Sequence, residues 1–167
     1  MTGLAASLSE VEIAEADPRS DEARVLVDEM NAFLTAVYPE DAVIGNVPST
    51  PEGLASEGVF VLARLDGEAV GSGALMPVAG QDGVMEVKRM YVRDGLRGRR
   101  IGEHVLKRLE ALAAARRVAK LVLLTGPRQP DALRLYERNG YSVRGPYGKL
   151  IEHPLNIFYE KTLGAGA

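Results

Sequence analysis

The sequence predicts a single-domain α/β fold that combines antiparallel strands with one parallel βαβ unit. Three observations carry this prediction. The length of 167 residues suits one domain with a substantial core. Segments that alternate apolar and polar side chains, as strands do, are interleaved with segments of helical spacing. A nearly continuous apolar run at residues 119–125 follows an amphipathic helix, which indicates a strand buried on both faces in parallel pairing.

The first part of the chain is predicted to hold a strand, a helix and a loop. Residues 7–15 alternate apolar and polar side chains, which indicates an antiparallel strand. A helix is expected from Pro18–Asp21 onward, and the Tyr38-Pro39 pair ends it. Residues 40–57 are rich in Pro, Gly and Ser, so a loop is predicted there.

The middle of the chain predicts a hairpin followed by the βαβ unit. Residues 59–78 are strand-like on both sides of an Asp66-Gly67 pair, which is typical of tight β-hairpins. A further strand is expected at residues 84–92. The amphipathic helix at residues 101–117 then leads into the buried strand at residues 119–125.

The last part of the chain predicts a short helix and two final strands. The helix covers residues 129–138, and Asn139-Gly140 is expected to close it in a left-handed cap. Strands are expected at residues 141–144 and 156–162.

A basic, glycine-containing turn separates the strand at residues 84–92 from the helix that begins near Ile101. Its glycines and basic residues are Gly95, Gly98, Arg93, Arg97, Arg99 and Arg100. A helix start leaves backbone N–H groups unpaired and carries partial positive charge, and arginine adds donors for phosphate oxygens. The turn therefore predicts a phosphate site, with a plain solvated loop as the alternative. Its glycine spacing fits neither the dinucleotide fingerprint nor the Walker motif.

The segment Arg97–Gly102 resembles the pattern [Q/R]-x-x-G-x-[G/A], which follows a strand in the N-acetyltransferases of the GNAT superfamily and binds acetyl-CoA. Arg100 stands where that family has its central glycine. An arginine fits there if the backbone is helical and the side chain points outward. The resemblance covers most of residues 10–163. The length predicts a single domain over residues 1–167, with a core at about 7–163, and the Gly-Ala-Gly-Ala end at 164–167 is expected to be frayed.

The GNAT fold that the resemblance implies is a mixed, largely antiparallel sheet with a central parallel βαβ unit and helices on both faces. Acetyl-CoA is the implied acetyl donor, and no metal is expected. The resemblance also implies two groups of cofactor contacts. The backbone of the preceding strand would bind the pantetheine arm and the thioester carbonyl at Met90, Tyr91 and Val92. The turn and helix start would bind the pyrophosphate at Arg97, Gly98, Arg99, Arg100, Ile101 and Gly102.

Acetyl transfer to an amine requires the amine to be neutral, and Glu86 is the candidate base. An amine with a pKa of about 10.4 is neutral in only about one part in 2,500 at pH 7, which corresponds to roughly 4.6 kcal/mol. Family members that use a glutamate base often carry it at the spacing of Glu86 from the turn. The alternative is a surface ion pair between Glu86 and Lys88, since residues i and i+2 of a strand share a face.

Tyr136 is the candidate acid. Residues 132–141 resemble the family segment A-x-x-[LF]-Y-x-x-x-G-[FY], in which the tyrosine commonly faces the cofactor sulfur. A phenol is neutral at pH 7 and can donate a proton to the leaving thiolate. A core tyrosine is the alternative, and the two roles are compatible. The two histidines, His104 and His153, are scattered and do not predict a metal site.

Charge and composition narrow the function further. Residues 1–58 hold twelve Asp/Glu and two Lys/Arg, whereas residues 86–120 hold eleven Lys/Arg and four Asp/Glu. The acidic half would repel a nucleic acid, and a small polyphosphate ligand fits the basic segment better. Cysteine is absent, so no acyl group can be carried on an enzyme thiol. No apolar run approaches the length of a membrane helix and no signal peptide is recognised, so we expect a cytoplasmic protein without membrane partners.

These observations predict an acetyl-CoA-dependent N-acetyltransferase. The amine would belong to a small molecule or a peptide and would attack the thioester directly in a ternary complex. An acyl-CoA-binding sensor or regulatory module with degenerate catalysis is the alternative, and Arg100 in place of glycine is its support. A homodimer is left open, and the acceptor amine has no interpretable motif.

Overall fold

The computed structural model describes residues 11–39, 50–96 and 99–164, which hold seven strands and four helices. The strands are β1 Val11–Glu15, β2 Val59–Leu65, β3 Glu68–Pro77, β4 Val84–Val92, β5 Lys120–Thr125, β6 Ser142–Arg144 and β7 Ile157–Thr162. The helices are α1 Asp21–Val37, α2 Pro51–Glu57, α3 Ile101–Ala115 and α4 Pro130–Arg138. The start of the first predicted strand, residues 7–10, and most of the predicted frayed end, residues 165–167, lie outside the described ranges.

The seven strands form one sheet in the order β1-β2-β3-β4-β5-β7-β6. All neighbouring pairs are antiparallel except β4 and β5, which are parallel and are joined by α3. The predicted mixed sheet with one central βαβ unit is therefore confirmed. Across the described ranges, no helix is long and apolar enough to span a membrane.

Helices cover both faces of this sheet because the strands alternate two sets of apolar side chains. Along β2, Val61 belongs to the core under α3 and α4, whereas Leu62 belongs to the core under α1 and α2. Both side chains are fully buried. On β5, Leu121 and Val122 likewise face opposite cores and are fully buried, as the continuous apolar run predicted.

Helix α2 corrects the sequence prediction, which placed a loop over residues 40–57. Thr50 caps the helix by accepting a hydrogen bond from the Gly53 N–H at 2.9 Å, and Pro51 occupies the first turn, where no N–H is needed. Leu54 anchors the helix, with 3% of its surface exposed. The Pro- and Gly-rich composition concealed a capped helix of 7 residues, or about two turns. Residues 40–49 lie outside the described ranges.

Helix α3 lies unusually close to β3 at Gly73. A Cβ added there would come within 2.6 Å of Val105 Cγ1 and 2.9 Å of Leu109 Cδ1. These distances are shorter than real Cβ contacts, so only glycine allows this approach. The close packing fixes the helix against the sheet and sets the N-terminus of α3 beside the end of β4.

Candidate active site

A cleft opens in the middle of the sheet because β4 and β5 separate. Their parallel pairing ends at Glu86 and Val122, whereas β4 continues to Val92 and β5 to Thr125. The cleft has a volume of about 1070 Å³. Its walls come from β4, the start of α3, the end of β5 and α4, and α1 adds Met30, Asn31, Phe33 and Leu34. A long, narrow ligand fits such a groove.

A β-bulge shapes the β4 wall of the cleft. Ser72 pairs with Tyr91 and Ala74 with Lys88, so one residue of β3 faces two residues of β4. Arg89 takes a left-handed conformation in the bulge, with φ of 59°, and the buried Ser72 hydroxyl donates to its carbonyl at 2.7 Å. The residues expected to contact pantetheine, Met90, Tyr91 and Val92, all line the cleft beyond this bulge.

The basic turn leads from β4 into α3 at one end of the cleft. Gly95 has a φ of 83°, which glycine adopts without strain. Arg97 and Gly98 lie outside the described ranges. Ile101 and Gly102 form the first turn of α3 and line the cleft, and their N–H groups have no acceptor within the helix. The helix start is therefore open to an anionic ligand.

Arg100 departs from what the sequence suggested. It precedes α3 with φ 62° and ψ 20°, which is left-handed rather than helical backbone. The chain must turn sharply from the loop into the helix at this position, and glycine would do so without the cost that an L side chain incurs. The Arg100 side chain does point outward, with 70% of its surface exposed.

Glu103 lies in the first turn of α3 and is paired with two arginines. Arg138 of α4 contacts Glu103 Oε1 at 2.8 Å, and Arg100 lies 3.5 Å from Oε2. The hydrogen bond from Arg138 is the main reason that the pKa of Glu103 is lowered. The contact with Arg138 holds α3 against α4 at the rim of the cleft. The two arginines also offset the negative charge of Glu103 beside the start of α3.

Glu86 lies on the face of β4 that looks toward α1 and α2. Its Oε1 lies 3.6 Å from Lys88 Nζ, and its Oε2 accepts a hydrogen bond from the Tyr147 hydroxyl at 2.6 Å. The expected ion pair with Lys88 forms, but only 16% of the Glu86 side chain and 13% of the Lys88 side chain are exposed. Both residues line the cleft, so the pair is not a solvated surface pair.

Tyr136 reaches the same cleft from α4. It is 6% exposed and packs against Tyr141 in an edge-to-face contact with a centroid distance of 5.7 Å. None of the described residues donates to or accepts from its hydroxyl. Burial raises the pKa of Tyr136, so the phenol stays protonated at neutral pH. Tyr136 therefore both packs in the core and lines the cleft.

Sequence reasoning missed two tyrosines that build the site. Tyr147 lies in the loop between β6 and β7 and meets Glu86 across 61 positions of sequence. Tyr38 follows α1 and donates to Gln129, 91 positions away. Neither contact has a local sequence signal, although Tyr147 stands out as an aromatic residue in a Gly-Pro-Tyr-Gly turn. Gln129 and Thr125, which are located near the expected cofactor path, line the cleft.

The histidines lie away from this cleft. His104 is exposed on α3. His153 lines a separate pocket of about 410 Å³ together with Arg144, Glu152 and Asn156, and its Nδ1 accepts from the Leu155 N–H at 3.1 Å. Within the described ranges, no three His, Cys, Asp or Glu side chains come together as metal ligands would.

Comparison with known proteins agrees with this geometry. A sequence model of the acetyltransferase (GNAT) family matches residues 21–141. An IAA acetyltransferase from Azospirillum brasilense is 36% identical over 154 residues, which cover 92% of this chain and 98% of that protein.

Solved structures give the same result. A candidate acyl-CoA N-acyltransferase from Klebsiella pneumoniae matches with a TM-score of 0.76 and 32% identity, over 93% of this chain and 99% of that one. The Paia N-acetyltransferase from Thermoplasma acidophilum, solved in complex with coenzyme A, matches with a TM-score of 0.65 over 92% of this chain and 99% of that one. At 16% identity, the second likeness concerns the fold alone.

Proposed function

The chain belongs to the GNAT family of acetyltransferases, and on that basis we propose that it transfers an acetyl group from acetyl-CoA to a primary amine of a small molecule or peptide. The cleft between β4 and β5 carries this proposal, because it runs from the open N-terminus of α3 to the buried carboxylate of Glu86. The cleft would thus hold an anion site at one end and a general base at the other.

The residues of the cleft fit coenzyme A in one direction. The helix start at Ile101 and Gly102, together with Arg97, Arg99 and the backbone of Arg100, would hold the pyrophosphate. The bulged end of β4, residues 90–92, would bind the pantetheine arm. The acyl end would then lie near Glu86 and Tyr136, with the wall from α1 on the acceptor side.

Acetyl-CoA supplies the acetyl group as a thioester when it is bound. Glu86 would accept the proton that the neutral amine nitrogen loses as the new C–N bond forms, so that no cationic nitrogen is left in the product. Tyr136 would donate its phenolic proton as the C–S bond breaks. The proton count balances, because one group takes up a proton and the other releases one, and bulk water restores both.

A panel of acceptors tests the proposal directly. The purified protein and acetyl-CoA would be incubated with amines, amino acids, polyamines, aminoglycosides, peptides and the compound for which the Azospirillum relative is named, and release of the free thiol would be followed. Turnover with an amine, accompanied by an acetylated product in the mass spectrum, is expected. Tight binding of coenzyme A without turnover on any acceptor would favour the alternative function, an acyl-CoA sensor.

The anion site has its own test at Gly102. A Cβ there would meet Leu135 and Val92 no closer than 3.6 Å, which is ordinary van der Waals contact. Gly102→Asp and Gly102→Asn have nearly the same size and differ in charge. We expect the Asp variant to bind coenzyme A at least tenfold more weakly than the Asn variant at low salt, with a smaller gap at high salt. Equal affinities would place the phosphates elsewhere.

A further inference from the structure

Tyr147 is a buried tyrosine that the proposed mechanism does not use. Only 5% of its surface is exposed, and its hydroxyl donates to Oε2 of Glu86 at 2.6 Å. The ring is held on two sides. It packs edge-to-face on Phe158 with a centroid distance of 5.7 Å, and the Arg144 guanidinium lies 5.8 Å from its centroid. A phenol fixed in this way can define where the carboxylate points.

We infer that Tyr147 is a positioning residue for Glu86: its hydroxyl fixes the carboxylate in the cleft and stabilises the ionised form that accepts a proton. This inference rests on the proposed function, in which Glu86 is the base. A hydrogen bond to a charged acceptor is stronger than one between neutral groups, and it favours the charged form. The sequence distance of 61 residues shows that the loop between β6 and β7 completes a site otherwise built on β4.

The charges around Glu86 agree with this role. Lys88 lies 3.6 Å away on the same strand, and Arg89 and Tyr136 line the same cleft. Behind Tyr147, Arg144 pairs with Glu160 at 2.9 Å, and Lys120 lies 3.2 Å from the same Glu160 oxygen.

The protonation state of Tyr147 also agrees with its role as a hydrogen-bond donor to Glu86. Burial, followed by the charge of Glu86, raises the pKa of Tyr147 far above its usual value. The phenol therefore remains a donor throughout the neutral pH range.

Tyr147→Phe tests the inference because it removes the hydroxyl and keeps the ring. The ionised carboxylate then loses a donor, so the acidic limb of the kcat/KM profile should move to higher pH by about one unit. At pH values on the acidic limb, kcat/KM of Tyr147→Phe should be about tenfold lower than that of the wild type. The profiles of the two proteins should meet at high pH. The KM for acetyl-CoA should stay within about twofold, since the hydroxyl donates to Glu86 and contacts none of the described residues assigned to the cofactor.

Tyr141→Phe is the matched control. Tyr141 is 4% exposed, and its hydroxyl donates to Oε2 of Glu110 at 2.9 Å, outside the cleft. The Tyr141→Phe variant loses the same kind of buried tyrosine–glutamate bond as Tyr147→Phe. The midpoints of thermal unfolding of the two variants should therefore fall to a similar extent. The pH profile of Tyr141→Phe should not move.

A double variant, Tyr147→Phe combined with Glu86→Gln, shows whether Tyr147 acts through Glu86 or independently of it. If Tyr147 acts through Glu86, adding Tyr147→Phe to Glu86→Gln should change kcat/KM less than twofold. An unshifted pH profile in Tyr147→Phe, or a tenfold further loss in the double variant, would overturn the inference while wild-type turnover still supports the proposed function. Absence of turnover in the unmodified chain would overturn both.

Discussion

The hydroxyl of Tyr38 donates a hydrogen bond to Oε1 of Gln129 at 3.2 Å. The Tyr38 hydroxyl oxygen in turn accepts from the Arg128 N–H at 3.1 Å, and the Arg128 guanidinium lies 5.5 Å from the centre of the Tyr38 ring. Tyr38 ends α1 and Gln129 precedes α4, so this one side chain joins two walls of the cleft. A Cβ at Gly126 would come within 2.1 Å of the hydroxyl, which leaves room for glycine alone.

Tyr38→Phe should lower both stability and substrate affinity. The variant removes the acceptor for the Arg128 N–H, so the free energy of unfolding should fall by about 1 to 2 kcal/mol. The KM for the acceptor should rise, because α1 loses the hydrogen bonds that Tyr38 makes to the segment before α4. Chemical denaturation and steady-state kinetics would measure the two effects. Tyr159→Phe, which breaks a 2.8 Å bond to Glu137, should reduce stability with little change in KM. An unaltered KM in Tyr38→Phe would contradict the attachment.

Glu86→Gln should reduce kcat/KM by about 100-fold and remove the acidic limb of its pH profile. The amide keeps the size of the side chain but cannot accept a proton from the amine. Glu110→Gln is a close control, since Glu110 also accepts from a tyrosine and lies 3.1 Å from Lys161 Nζ, away from the cleft. Rates near wild type are expected for that control. A Glu86→Gln enzyme with an unchanged profile would show that another group, or water, deprotonates the amine.

Tyr136→Phe should lower kcat by about tenfold or more while leaving the Kd for acetyl-CoA within about twofold. The ring keeps its contact with Tyr141 at 5.7 Å, so the fold should be preserved. Single-turnover kinetics, with acetyl-CoA binding measured by calorimetry, would separate the chemical step from affinity. Wild-type turnover in this variant would leave Tyr136 with its core role alone.

Arg100→Gly should relieve backbone strain at the start of α3. Glycine adopts a φ of 62° freely, so the free energy of unfolding should rise by up to about 1 kcal/mol. Affinity for acetyl-CoA should change less than tenfold, or ~1.4 kcal/mol, because the side chain points outward. Arg117→Gly offers the same relief at a φ of 60°, at the far end of α3, without any effect on binding. A larger loss of affinity in Arg100→Gly would mean that the arginine holds a phosphate.

Much of the fold could be predicted because its signals are local. Asp66 and Gly67 both have positive φ values, 52° and 82°, as the two central residues of a tight hairpin require, and this pair is visible in the sequence. The buried run of β5 and the left-handed Gly140, with φ of 89°, were predicted for similar reasons. Each depends on residues that are neighbours along the chain.

The parts that could not be predicted depend on distant partners. Glu86 was identified as a candidate, but its bond to Tyr147 arises only after β6, β7 and their loop have packed on the sheet. The left-handed backbone of Arg100 was not predicted either: the family pattern has glycine there, but the arginine was expected to need helical backbone. Sequence patterns and residue propensities depend on a few neighbouring residues, whereas the side-chain geometry of a site depends on how the whole chain folds.

The short pairing of β4 with β5 has a mechanical consequence. In the described part of the chain, three residue pairs join these strands, so the sheet consists of two antiparallel halves, β1–β4 and β5–β7, that meet at a narrow seam. Amide hydrogen exchange near such a seam is governed by local opening rather than by global unfolding. A ligand that spans the cleft would brace the two halves of the sheet against shear, and it would raise the free energy of unfolding in proportion to the logarithm of its concentration above Kd.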